Sequence, residues 1–161
     1  MTFDEPLASG AGVAASPRYR RLILVLIAVG AVGLLTELLL LEHFEDPWQW
    51  APVVSLVLTI VATAVVAFRP TRAALRAFQG VMIACVVFGA IGVVLHIKGN
   101  IEFELEGKPD LRGWPLYREA LRGAVPALSP GALAQLGLLG LLYAYRHPVL
   151  TSRPSFPQES P

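Results

Sequence analysis

The chain has 161 residues, 55% of them hydrophobic and only 16% charged, with a formal net charge of +1 and a mean hydropathy of +0.59. That is too apolar for an ordinary soluble domain of this length, so the expectation is an integral membrane protein. A single cysteine, Cys85, excludes an intrachain disulfide, and with it the membrane oxidoreductases that exchange paired cysteines with quinones.

The first 17 residues are rich in Pro, Ser, Gly and Ala and have little to bury, which predicts a disordered tail. Arg18, Arg20 and Arg21 then precede the apolar run Leu22–Leu41. The run is long and ends in LLTELLLLEHFEDP without a small-residue cleavage site, so it reads as a retained helix over about 21–42 rather than a signal peptide. Trp48 and Trp50 open the second run, Val53–Phe68, predicting a helix over 51–68. The loop RPTRAALRAF follows, and arginines beside a membrane read as topology anchors on anionic lipid, so no nucleic-acid partner is expected. The third run, Val81–Ile97, predicts a helix over 79–97.

Residues 98–129 form the expected outer loop. Ile101, Phe103 and Leu105 alternate with Glu102, Glu104 and Glu106, a strand periodicity that predicts an extended segment lying apolar side down on the membrane surface. The carboxylates diverge on such a segment, and no Asp/Asn/Gly calcium-loop spacing accompanies them, so a solvated acidic face is favoured over a divalent-cation site. GKPD then turns the chain into WPLYREALRG, a short interfacial amphipathic helix with Trp114, Tyr117 and Leu121 on its apolar face.

The fourth run, Ala132–Tyr145, is short: its residues reach roughly 21 Å against a hydrocarbon layer of ~30 Å. The prolines of Ala124–Gly131 (AVPALSPG) predict non-helical backbone ahead of a helix over 130–146. Such backbone survives at membrane depth only against protein or a water-filled cavity, which makes this stretch a candidate cavity wall. Residues 147–161 again read as a disordered tail. The fold class is thus all-α: a four-transmembrane-helix bundle over 18–146 with an outer loop carrying one interfacial helix.

Charge gives the orientation. Arg18, Arg20, Arg21, Arg69, Arg72, Arg76, Arg146 and Arg153 fall on one side, and Lys98, Lys108, Arg112, Arg118 and Arg122 on the other. The first set hugs the helix ends, so both termini are expected in the cytoplasm and the protein in the inner membrane.

Small residues indicate how the helices pack. Gly30, Gly33 and Glu37 share one face of the first helix; Cys85, Gly89, Gly92 and His96 share one face of the third; Leu133, Gly137, Gly140 and Ala144 share one face of the fourth. Ser55, Thr59 and Ala62 offer a comparable face on the second. Glycine faces mark close helix contact in membranes. Glu37 and His96 continue two of them near the outer end, at levels that differ by roughly 4–5 Å from the helical rise, so they are expected to point into the bundle and to pair.

An ionisable residue inside a membrane helix is costly and points to a proton relay or ion pathway, although one so near the interface can also merely tie a loop to a helix end. Glu42 or His43 could complete a metal site with the Glu37–His96 pair, and Glu102 is a further candidate in the outer loop. His43 and His96 raise haem ligation, but His43 lies past the expected end of its helix and no second histidine pair exists, so haem is disfavoured and no cofactor is predicted. The first expectation is a non-catalytic accessory or scaffold subunit with an acidic outer cap that contacts a membrane-complex partner. The alternative is a homo-oligomeric transporter or channel-like protein that uses Glu37 with His96 for proton or cation coupling, and a membrane-embedded enzyme ranks third.

Overall fold

A computed structural model of the chain describes residues 16–42, 45, 47–123 and 125–151. Among these residues six helices run in order: α1 Pro17–Leu40, α2 Trp50–Phe68, α3 Arg72–Gly107, α4 Gly113–Leu121, α5 Gly131–Ala144 and α6 Pro148–Thr151, with a 3-10 turn at Pro47–Gln49. No strand occurs among the described residues. Three segments, Pro17–Leu40, Pro47–Phe68 and Arg72–Gly107, are long and apolar enough to cross a membrane, and Gly131–Ala144 is a shorter apolar helix.

The boundaries follow from local chemistry. Ser16 caps α1, its hydroxyl accepting from the Arg18 amide at 3.3 Å, and Pro17 occupies the first helical position, where a missing N–H costs nothing. Glu42, with φ 51°, turns the chain into the left-handed region after α1. Pro70 bars its predecessor from helical geometry and so ends α2. The Thr71 hydroxyl then caps α3 by accepting from the Ala74 amide at 3.1 Å.

α3 is the central element and packs against α2, α4 and α5, while α1 lies on α2 and α5. Ile27, Leu56, Leu75, Phe78, Met82 and Cys85 are fully buried between them. The buried Thr59 hydroxyl bonds back to the Ser55 carbonyl at 2.8 Å and lies 3.3 Å from the Cys85 sulfur, joining α2 to α3. Elsewhere the surface is apolar: Val29, Leu40 and Phe68 are all more than 60% exposed, as suits helices solvated by hydrocarbon.

The expected glycine faces of α3 and α5 meet each other. A Cβ on Gly89 would lie 2.6 Å from the Ala134 backbone nitrogen, one on Gly92 2.7 Å from Pro130 Cβ, and one on Gly137 2.5 Å from the Met82 carbonyl oxygen. Gly140 presses on the Met82 side chain in the same way. The face of α1 is used only in part. A Cβ on Gly30 would approach Leu136 to 3.1 Å, whereas Gly33 is exposed with nothing within 4 Å. The inward path read from Gly30 through Gly33 to Glu37 therefore leaves the bundle surface at Gly33, because α1 contacts its neighbours chiefly through Leu24, Ile27 and Ala31.

Two further expectations are corrected. The third helix does not stop at 97, and Ile101–Glu106 is not extended: α3 runs without a break to Gly107. Elongating an existing helix costs no new nucleus, whereas a lone strand has no partner for its backbone. Lys98–Glu102 at 3.5 Å and Glu104–Lys108 at 3.3 Å then fall at the i,i+4 spacing that helices favour. The tails expected over 1–17 and 147–161 are also shorter, since Pro17 opens α1 and Pro148–Thr151 forms α6; the remainder of both tails, with His43, lies outside the described residues. The helix expected in WPLYREALRG is α4, but it turns Leu116 and Ala120 toward the protein and leaves Trp114, Tyr117 and Leu121 exposed.

Candidate functional site

A cleft of about 670 Å³ opens where the C-terminal turn of α1, the start of α2, the middle of α3 and the segment 125–130 meet. Each wall has a sequence reason. Gly92 and Gly99 leave one side of α3 bare, while Pro126 and Pro130 hold the chain ahead of α5 in successive turns, Ser129 N–H to the Pro126 carbonyl at 3.2 Å and Leu133 N–H to the Pro130 carbonyl at 3.1 Å. The proline stretch therefore is a wall of the cleft, and Val125, Pro126, Ser129 and Pro130 all line it.

Glu37 and His96 both line this cleft, Glu37 from α1 and His96 from α3. The His96 Nδ1 lies 3.1 Å from the Pro126 carbonyl oxygen. A carbonyl only accepts, so Nδ1 is the donor of this bond. Among the described residues no side-chain hydrogen bond or ion pair reaches the Glu37 carboxyl, which is exposed. The two residues thus share a cavity without a direct bond between them. Their cleft-mates include Gln49 and Ser129 as polar groups and Trp48 and Phe88 as aromatic ones.

Of the secondary candidates, Glu42 and Glu102 do not line the cleft, and His43 lies outside the described residues. Glu42 is exposed beyond the end of α1, and Glu102 pairs with Lys98 on the outer part of α3. Among the described residues no three His, Cys, Asp or Glu side chains converge closely enough to hold a metal ion.

Sequence reasoning missed the residue that fixes the wall. Asn100, 1% exposed, donates from Nδ2 to the Ala120 carbonyl at 2.9 Å and the Val125 carbonyl at 2.7 Å, and its Oδ1 accepts from the Val125 amide at 3.2 Å. Three bonds from one buried amide tie α3 to the end of α4 and to the proline segment, which holds the Pro126 carbonyl over His96. A Cβ on Gly123 would fall 2.6 Å from Asn100 Cγ, so a glycine is needed where the chain crosses it. The signal was present: Asn100 is the only asparagine in the chain and stands one further turn along the Gly89–Gly92–His96 face.

At the opposite end a second polar cluster was also missed. The Arg20 guanidinium donates to the Tyr143 carbonyl, and to that of Arg146 at 3.3 Å, closing the last turn of α5, where carbonyls and helix dipole favour a cation. His147, 7% exposed, accepts from the Val149 amide at Nδ1 over 3.3 Å. Burial, and then the neighbouring Arg20 charge, push its pKa below the usual histidine range, consistent with a neutral ring.

Comparisons with protein-family models, with curated proteins and with solved structures find no match to this chain.

Proposed function

We propose that this is an inner-membrane protein whose four apolar helices all cross the bilayer with both termini in the cytoplasm, and that it couples a proton or cation to Glu37 and His96 in a cleft open to the outer side. The observation that carries the reading is that two ionisable residues from different helices line one largely apolar cavity, Glu37 exposed on it and without a side-chain bond among the described residues. An ionisable side chain on a membrane helix is the usual mark of an ion or proton pathway. The arginine distribution supports the orientation, and the turns over 126–130 support α5 as a span completed by non-helical chain.

The test is reconstitution into proteoliposomes with a pH-sensitive dye inside. The parent should dissipate an imposed proton or alkali-cation gradient, and Glu37→Gln should abolish this while leaving the melting temperature unchanged. If a proton or cation bridges the two side chains, the effects of Glu37→Gln and His96→Gln on flux should be non-additive. Equal flux from parent and Glu37→Gln vesicles would overturn the reading.

A second reading, an accessory subunit, draws support from the far end of α3 and from α4, where Phe103 and Trp114 are 58% and 72% exposed. Co-purification from native membranes in mild detergent would reveal such a partner as a stoichiometric band.

A further inference from the structure

We infer that the cleft binds a lipophilic monocation, an organic molecule with one positive charge and an apolar body. The inference rests on the reading of the cleft as a cation site and names the class of cation.

Three observations converge. First, the charge is of one sign. Among the described residues neither Lys nor Arg lines the cleft, and Glu37 is the one carboxylate that does. An anion would therefore meet no positive group, and a phospholipid headgroup would leave its phosphate facing Glu37 without a counter-charge. Second, the polarity is graded. Glu37 stands within one turn of the end of α1, at the rim, whereas Leu34, Leu56 and Leu133 lie toward the core, the last two buried. A hydrated metal ion needs several oxygen or nitrogen donors around it, and an apolar floor offers none. An apolar body anchored by its charge at the rim satisfies both ends. Third, the volume is that of a small-molecule site. A cavity of about 670 Å³ falls within the ~300–1,000 Å³ typical of drug-sized ligands. Trp48, on the wall contributed by the turn before α2, adds an aromatic surface on which a cation is attracted to the ring face.

His96 takes a positioning role. Its Nδ1–H is held by the Pro126 carbonyl, which fixes the orientation of the ring in the cleft wall.

The experiment uses the purified full chain in nanodiscs and three probes of similar shape: tetraphenylphosphonium as cation, triphenylphosphine oxide as neutral body and tetraphenylborate as anion. Tetraphenylphosphonium should bind saturably, at least tenfold more tightly than either analogue. Glu37→Gln should weaken it at least tenfold, and Glu37→Asp should recover part of the loss, with melting temperatures of both variants within a degree of the parent. Should Glu37→Gln fail to fold, Gly99→Leu, which adds bulk to the cleft wall where nothing stands within 4 Å and keeps the charge, supplies the second variant and should also weaken binding tenfold. Equal binding of cation and anion, or a cation affinity unchanged by Glu37→Gln, would overturn the inference, as would no saturable binding because a lipid chain occupies the cleft. Failure here with proton or alkali-cation flux still dependent on Glu37 removes only the ligand class. Binding without any such flux retains the ligand and removes the coupling.

Discussion

Glycine positions separate what spacing can say from what packing decides. Gly89 and Gly33 look alike in the sequence, each on a small-residue face of an apolar helix. Yet a methyl group at Gly89 would strike backbone atoms of Ala134 and Pro130, whereas one at Gly33 would meet nothing. Gly89→Ala is therefore expected to destabilise the bundle by about 1–3 kcal/mol through overpacking. Gly33→Ala should be neutral, or stabilising by up to about 1 kcal/mol from the lower backbone entropy of the unfolded helix. Thermal unfolding in one detergent decides it, and a Gly89→Ala variant that melts with the parent would mean that α3 and α5 do not touch there. The difference was illegible because periodicity gives a face but not what stands opposite, and Asn100 was passed over for the same reason. Its three bonds go to two residues, 20 and 25 positions away, a distance that no local pattern spans.

At the scale of elements the apolar runs and the proline stretch were legible, and the end of α3 was not. The runs declared themselves because lipid demands unbroken hydrophobicity, and the prolines because they cannot donate to a helix ladder. Ile101–Glu106 misled because six residues of strict alternation fit a strand, while the helix that continues through them is sustained from upstream and by its i,i+4 ion pairs. A cysteine scan over 98–107 should show helical periodicity in its accessibility to a water-soluble reagent. Positions 102, 103 and 106 should react readily and positions 100, 101 and 104 slowly. A strict every-second-residue pattern would restore the extended segment and detach α4 from α3.

For the whole molecule, the expectation of helices spanning a membrane rests on three long apolar segments and on an exposed surface that water would not tolerate. The proposed orientation predicts that a cysteine at Glu104 in intact cells is labelled by an impermeant reagent, and one at Arg72 only after permeabilisation. Labelling at 72 from outside would reverse the assignment and turn the cleft toward the cytoplasm. Depth along the helices places Glu37 and His96 at the same end of the bundle, but the Gly30–Gly33 face did not place Glu37, which is exposed. Their lack of a direct bond was not legible either, because it depends on where α1 leaves its neighbours.

The unbroken length of α3 has a mechanical consequence. Its 36 residues extend about 54 Å by the helical rise, against roughly 30 Å of hydrocarbon, so a crossing α3 carries a rigid arm well beyond the membrane. Asn100 fastens the proline segment to that arm just past His96. A thinner bilayer tilts a long helix, and an arm without a joint converts that tilt into a sideways swing of its far end. The proline segment and α4, fastened to that arm through Asn100, then travel with it as one piece.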